Sequence, residues 1–184
     1  MKTIVGFILM FLFAFPSFSQ TAPEPDQMKI SNRKIVKTVT VFSEVESVWQ
    51  KWTTHEGLLT FFGEDNRIEL TPGGPYEIFF DMESPIGLRG SEGCKVLSFI
   101  PNKMVSFTWN APPKFANARG SDYHTWVVVE FEPVCENFTK ITLTHMGWPE
   151  EEAWDGVYIY FDEAWDKVLS WLKDSYSYKK PAQQ

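Results

Sequence analysis

The spacing of hydrophobic and polar positions changes several times along the chain. Residues 33–42 alternate and are rich in β-branched side chains, which predicts a half-buried strand. Residues 45–52 and 55–62 place apolar side chains three or four positions apart, which predicts two short helices. From residue 66 to residue 145 the period returns to two, and turns divide this stretch into six predicted strands.

The C-terminal part of the chain carries one long amphipathic segment. Pro149 and the acidic residues that follow it suit the start of a helix. Charged side chains occupy one face of the segment, and the opposite face predicts a buried stripe. The apolar face is formed by Val157, Phe161, Ala164, Trp165, Val168 and Leu172.

The order of these elements predicts the fold class. Short turns between consecutive strands indicate a meander, and a meander must bury its apolar face against another element. The long amphipathic helix is the candidate, but one helix cannot cover so large a sheet, so curvature leaves an interior space. We therefore predict an α+β, helix-grip protein: a seven-stranded curved antiparallel sheet with two short helices and a long C-terminal helix.

The first residues of the chain predict export. Residues 1–19 place one lysine before a short apolar run, then Pro16 and the small residues Ser17 and Ser19, as in a secretory signal peptide. We expect cleavage after Ser19 and a periplasmic or secreted protein without a stable membrane span, the alternative being an uncleaved membrane anchor. Residues 20–32 are predicted to be a polar tether, 33–178 a single domain and 179–184 a tail.

Composition and charge narrow the classes of partner. The 184-residue chain is 43% hydrophobic and 16% aromatic, enough to fill a core without metal or disulfides. Removal of the predicted signal peptide takes away Lys2 and moves the formal net charge from -7 to -8. An acidic chain without a basic run argues against nucleic acid and anionic membrane surfaces as partners.

The two cysteines are predicted to remain free thiols. The strand register places Cys135 near the far end of the strand on which Cys94 lies. A disulfide needs Cα atoms within about 7 Å of each other, and the predicted separation exceeds this.

Six sequence segments together resemble a known superfamily. They are VWQKWTTHEGLLTFFG, PGGPYEI, KVLSFIPNKMVSFTW, VEFEPV, KITLTHMGW and FDEAWDKVLSWLK. In this order they are similar to the START/SRPBCC superfamily, and within it to the AHSA group, named after the activator of the heat-shock chaperone ATPase. The resemblance covers residues 33–176.

The resemblance implies the birch-pollen-allergen, or helix-grip, fold with a cavity between the sheet and the long helix. Members include lipid carriers, hormone receptors, polyketide cyclases and small-molecule binders. The segment at 111–122 is longer than the family pattern, which suggests specialised access for the ligand. An exported domain would not meet an ATP-driven cytosolic chaperone, so the chaperone-activating role transfers poorly.

His145 is the best polar candidate for a site. It shares strand parity with Ile141 and Leu143, so we expect its imidazole to point inward near the cavity mouth, where it could bind a ligand or act as an acid or base. The alternative is a core histidine bonded to a backbone carbonyl or a tyrosine. The three histidines lack metal-ligand spacing, so we expect neither a metal site nor a cofactor.

Three functions remain open at this point. The first is binding of a small apolar or amphipathic molecule, with His145 and Thr125 or Tyr123 orienting its polar end. The second is an enzyme of the cyclase or hydrolase kind that uses His145 as acid or base. The third is a protein-interaction domain that uses the 111–122 loop and Trp126. The predicted cavity wall is aromatic and consists of Phe61, Phe62, Phe80, Phe107, Trp109, Trp148, Phe161 and Trp165.

Overall fold

The computed structural model describes residues 28–176. The predicted signal peptide, its cleavage site and the C-terminal tail lie outside these residues. The strands are β1 (Ile35–Val41), β2 (Asp65–Ile68), β3 (Tyr76–Phe79), β4 (Val96–Ile100), β5 (Met104–Trp109), β6 (Thr125–Cys135) and β7 (Phe138–Met146). The helices are α1 (Val45–Thr53), α2 (His55–Leu59), α3 (Ala116–Arg119) and α4 (Asp155–Asp174), and a 3-10 turn spans Glu152–Trp154.

The strands form a curved antiparallel arrangement in two parts. One sheet has the order β1-β7-β6-β5-β4, and β2 pairs with β3 in a second sheet. The α+β helix-grip class is therefore confirmed, but the single seven-stranded sheet is wrong in detail. Only isolated bridges, such as Pro75 with Lys95, join β3 to the chain before β4. Pro75 has no N–H to donate, which limits regular pairing at this point.

Helix α4 lies against the β1 edge of the larger sheet. Its buried side chains recur at helical spacing, as the amphipathic pattern predicts. Lys37 of β1 reaches across to α4 and pairs with Asp162 at 3.1 Å and Asp166 at 2.8 Å. Because α4 covers the β1 edge, the opposite edge, at β4, is left to other segments.

The helix pair closes one end of the interior. Trp49 of α1 packs edge-on against Phe131 at 5.7 Å between ring centroids. Trp52 is fully buried, and its backbone oxygen accepts a hydrogen bond of 2.9 Å from the Tyr76 hydroxyl. Thr54 caps α2 by accepting from the Gly57 amide at 3.0 Å.

The chain before β1 is docked onto the body of the domain. The Ser31 amide donates to the Trp148 oxygen at 2.8 Å, and the Glu150 amide donates to the Lys29 oxygen at 2.9 Å. The sequence assigns residues 29–31 to the tether, whereas in the structure they pair with residues 148–150. Because Pro149 takes part in this pairing, α4 begins at Asp155, later than predicted.

None of the helices described between residues 28 and 176 combines the length and apolar character needed to cross a membrane. Over the same residues, His, Cys, Asp and Glu side chains form no group of three that could hold a metal ion. The structure leaves Cys94 and Cys135 unpaired, as predicted. Cys94 is buried, which raises the pKa of its thiol to about 12, whereas Cys135 is exposed.

Candidate functional site

A cleft of about 760 Å³ lies between α4 and the uncovered side of the sheet. Its walls come from three places in the chain: the connection between β3 and β4, the end of β5 with the residues after it, and α4. We call it the α4 cleft. The side chains and backbone that line it belong to Phe62, Phe80, Asp81, Ser84, Leu88, Gly90, Ser91, Trp109, Asn110, Pro112, Pro113, Lys114, Tyr160, Phe161, Glu163, Ala164, Trp165, Lys167, Val168 and Trp171.

A continuous aromatic wall forms the floor of the α4 cleft. Phe62 stacks on Trp109 with 5.7 Å between ring centroids, and Trp109 lies 5.4 Å from Trp165. Phe161 stacks on Trp165 at 6.0 Å. These four rings are each less than a tenth exposed, so their positions are fixed by their neighbours rather than by a ligand. The cleft therefore presents a preformed apolar surface.

The rim of the α4 cleft carries both apolar and charged side chains. Leu88 and Trp171 expose 45% and 48% of their surface at the rim. Lys114 lies over the Tyr160 ring with 4.1 Å between Nζ and the ring centroid. Exposed carboxylates and ammonium groups also reach the rim, from Asp81, Lys114, Glu163 and Lys167.

The outer wall of the cleft is held by one ion pair. The Glu92 carboxylate accepts from the amides of Gly87 at 2.7 Å, Gly90 at 2.9 Å and Arg89 at 3.0 Å. Arg119 of α3 lies 3.3 Å from this carboxylate and donates to the Ala111 oxygen at 2.6 Å. Burial alone would raise the pKa of Glu92, but the backbone N–H donors outweigh it and lower that pKa. The 111–122 loop is thus fastened to the β3–β4 connection.

His145 does not line the α4 cleft, which corrects the expectation that it lies near the cavity mouth. It is fully buried. The Trp165 indole N–H donates to its Nδ1 at 2.9 Å, and its Nε2 lies 2.7 Å from the Thr125 hydroxyl. Thr125 donates in turn to the Trp109 oxygen at 2.8 Å, so Nε2 carries the proton and donates to Thr125. Burial holds the pKa of His145 well below its usual value, and the ring is neutral.

The alternative of a core histidine therefore fits His145, with an indole and a threonine as partners instead of a backbone carbonyl or a tyrosine. Both ring nitrogens are used, and Trp165 with Phe161 separates the imidazole from the cleft. Thr125 belongs to the same buried chain of hydrogen bonds. The Tyr123 hydroxyl is also engaged, because it donates to the Gly147 oxygen at 2.8 Å.

The structure brings only part of the predicted aromatic set together. Phe107 lies behind the wall and stacks on Tyr76 at 3.9 Å, and Trp148 packs on His145 at 4.2 Å. Phe61 lines a separate shallow pocket beside Trp171. Strand parity gives the side of the sheet on which a residue lies but not its depth. The predicted residues that do line the cleft are Phe62, Phe80, Trp109, Phe161 and Trp165.

Asn110 is the main lining residue that sequence reasoning missed. It follows β5 directly, and only 9% of its surface is exposed. Its side-chain nitrogen donates to the backbone oxygen of Glu92 at 2.9 Å. One signal was present: an amide residue follows the inward-facing Trp109 and precedes Ala111 and two prolines, where the strand must end.

Trp126, named for a protein-interaction surface, is half-buried and has a packing partner. It pairs with Met146 across β6 and β7, and its ring lies over Gly147. A Cβ atom added to Gly147 would lie 2.1 Å from Cζ3 of Trp126. The backbone φ of Gly147 is 83°, so this position needs glycine on two counts. The indole therefore covers a bend in the sheet.

Comparison with known proteins supports the same fold. The family model described as "Activator of Hsp90 ATPase homolog 1-like protein" matches residues 43–176. No curated protein matches the chain. Among solved structures, protein MLL2253 from Mesorhizobium loti is similar with a TM-score of 0.62 and 20% identity, over 78% of this chain and 96% of that one.

Two further solved structures show the same likeness, and the name of the second refers to HSP90 activation. The Aha1 dimer from Colwellia psychrerythraea has a TM-score of 0.60 and 23% identity, over 80% of this chain and 98% of that one. PFC0360w, an HSP90 activator from Plasmodium falciparum, has a TM-score of 0.54 and 18% identity, over 74% and 91%. At these identities the likeness establishes the fold alone.

Proposed function

The chain belongs to the family of Activator of Hsp90 ATPase homolog 1-like proteins, and from this premise we propose that it binds a small apolar or amphipathic molecule in the α4 cleft. One observation carries the proposal: a cleft of about 760 Å³ with a preformed aromatic wall. Sites for small molecules are typically concave, largely apolar and few in a protein.

The energetics favour an apolar ligand. Each square ångström of apolar surface removed from water contributes about 25 cal/mol. Association and ordering of side chains oppose this gain, so a rigid site binds more tightly than a mobile one. The packed rings of Phe62, Trp109 and Trp165 need no rearrangement to present their surface.

Binding is favoured over catalysis by the position of His145. The enzyme hypothesis depends on this side chain as acid or base, and a general base must come within hydrogen-bond reach of the reacting group. His145 is enclosed by Trp165, Phe161 and Trp148, and both of its nitrogens are already bonded. A bound molecule in the cleft would touch the far side of Trp165.

A substitution that fills the α4 cleft with a larger side chain tests the proposal. Ala164 is half-buried, lines the cleft and lies on α4, so Ala164→Trp should occupy the space that the ligand needs. Native mass spectrometry of freshly purified protein should show a co-purifying small molecule in the wild type and its loss in this variant. The matched control is Ile159→Trp, on the same helix at a position that is 63% exposed. Equal ligand occupancy in all three proteins would contradict the proposal.

We also propose that the ligand is bound outside the cytoplasm. The support is the pattern of residues 1–19, which predicts a signal peptide cleaved after Ser19. N-terminal sequencing of protein recovered from an extracytoplasmic fraction should begin at Gln20. Recovery of chains that keep Met1, in the cytoplasm or in membranes, would contradict it. The chaperone partner in the name of the Plasmodium falciparum protein is not proposed for an exported chain.

A further inference from the structure

One side-chain amide in the α4 cleft has an oxygen atom that no protein group of the described chain hydrogen-bonds. Asn110 lines the cleft and is about nine-tenths buried. Its side-chain nitrogen donates to the backbone oxygen of Glu92, which fixes the orientation of the amide, because the reversed amide would set two acceptors against each other. Among residues 28–176, the carbonyl oxygen Oδ1 of Asn110 has no hydrogen-bond partner. This oxygen is not one of the fully buried unpartnered atoms of the described chain, which are Nε1 of Trp52, Nε1 of Trp154 and the Tyr176 hydroxyl, so a group in the cleft can reach it.

A donor lies on the neighbouring residue. Trp109 lines the same cleft and is 3% exposed, and its indole N–H has no acceptor within residues 28–176. Two serines that line the cleft are already engaged. Ser91 accepts from the Ile78 amide at 2.7 Å, and Ser84 donates to the Asp81 carboxylate at 2.7 Å. One acceptor and one donor therefore remain at the end of β5.

We infer that Asn110 and Trp109 hold the polar end of the ligand, and that the ligand is an aromatic or polycyclic molecule that carries a hydroxyl group. This inference rests on the proposed function. A hydroxyl donates one hydrogen bond and accepts others, which matches Oδ1 of Asn110 and the indole N–H of Trp109. A charged group is disfavoured there, because burial of a charge beside neutral groups is costly. The charged side chains of the cleft lie at its exposed rim.

Two naphthalene derivatives that differ only in the donor test the inference. Calorimetric titration of the wild type should give about tenfold tighter binding of 2-naphthol than of 2-methoxynaphthalene, as one added hydrogen bond would produce. In Asn110→Leu this preference should fall to about one, while the affinity for 2-methoxynaphthalene is kept. Asn117→Leu, the same change at an exposed position of α3, is the matched control and should keep the tenfold preference.

A second measurement keeps the test independent of the variant. In wild-type protein with labelled asparagine, saturating 2-naphthol should shift the side-chain carbonyl resonance of Asn110 in the direction of a gained hydrogen bond, and by more than saturating 2-methoxynaphthalene does. Equal affinity of the wild type for both compounds would overturn this inference and leave the proposed function standing. Failure of both compounds to bind would remove the proposed function, and this inference with it.

Discussion

The interior of the protein has two aromatic regions that share a side chain but differ in what they leave unused. Around His145 the aromatic rings pack against one another, and both imidazole nitrogens have a partner. In the α4 cleft, rings of the same kind surround a space, and Asn110 keeps a carbonyl oxygen without a partner in the described chain. Trp165 belongs to both regions. The proposed site therefore lies where space and an unused hydrogen-bonding atom remain, and not at His145, the polar residue that stands out in the sequence.

The difference follows from the position of α4 over the sheet. The helix packs at the β1 edge, next to β7, which carries His145. The opposite edge, at β4, lies beside the point where the sheet divides and pairing falls to isolated bridges. Loops and the single turn of α3, rather than a long helix, cover that side, and loops leave space that regular packing would fill.

Removal of Trp165 should have the largest effect, because it damages both regions. Trp165→Ala deletes a ring that is 1% exposed and leaves Nδ1 of His145 without a donor. We expect a loss of about 3–5 kcal/mol in the free energy of unfolding, measured by urea denaturation. Trp171→Ala, at the 48% exposed rim, is the control and should cost less than about 1 kcal/mol. Similar losses of unfolding free energy in both variants would mean that the region around His145 is packed no more tightly than the rim of the cleft.

Loss of the ion pair in the outer wall should have the second-largest effect on stability. Arg119→Ala removes the donor to Glu92 and to the Ala111 oxygen, so we expect a loss of about 2 kcal/mol in the free energy of unfolding. The same change should weaken ligand binding, since the 111–122 loop would lose its attachment. Arg67→Ala is the control, because the Arg67 side chain is 71% exposed and lies 3.7 Å from Glu77. Unchanged affinity in Arg119→Ala would show that the outer wall is held by other contacts.

Acidification should destabilise the protein, because the region packed around His145 excludes a proton from this ring. The folded-state pKa of His145 lies well below 6.5, so the unfolded chain binds a proton that the folded chain excludes. The contribution of the neutral His145 ring to stability is therefore fully present above about pH 6.5. Below that pH the free energy of unfolding falls by about 1.4 kcal/mol per pH unit while the folded ring stays neutral. Urea denaturation at pH 7.5, 6.5 and 5.5 should show this slope, and His145→Gln should remove it. A slope of the same size in both proteins would assign it to other groups.

Most of this fold can be predicted from the sequence, but much less of the site can. Alternation in β1, β6 and β7 and the apolar stripe of α4 predict the sheet and the helix, because each burial pattern repeats with the period of its element. Parity also predicts correctly that His145 points inward. It carries no information on what fills the space beyond the side chain. That depends on Trp165 and Trp148, which reach His145 from other elements.

Asn110 shows the opposite limit of sequence reasoning. A single amide residue at the end of a strand is ordinary, and its role depends on two facts that lie outside its own segment. The backbone oxygen of Glu92, 18 residues away, fixes its orientation. The interruption between β3 and β4 leaves the space in front of it. Neither fact leaves a periodic trace in the sequence, whereas the division at Pro75 could have been anticipated from the missing amide donor.

The smallest effect on stability should come from the rim of the cleft, where a matched pair of phenylalanines separates binding from folding. Phe80 lies on the cleft and Phe138 on the β6–β7 hairpin, and each is 41% exposed. Each ring also packs on another ring, Phe80 on Phe62 at 5.6 Å and Phe138 on Phe42 at 5.0 Å. Both alanine variants should therefore lose less than about 1 kcal/mol in the free energy of unfolding.

Ligand affinity should distinguish the two rings. Phe80→Ala removes apolar surface that a bound molecule would cover, so calorimetry with 2-naphthol should show binding weakened by about tenfold, the equivalent of some 50–60 Å² of apolar contact. Phe138→Ala should bind as the wild type does, because its ring lies outside the cleft lining. If both variants kept wild-type affinity, the molecule would have to bind without touching the rim. If both lost it equally, the effect would come from general loosening of the sheet, and the contrast between a solid region and an open one would no longer explain where this protein binds.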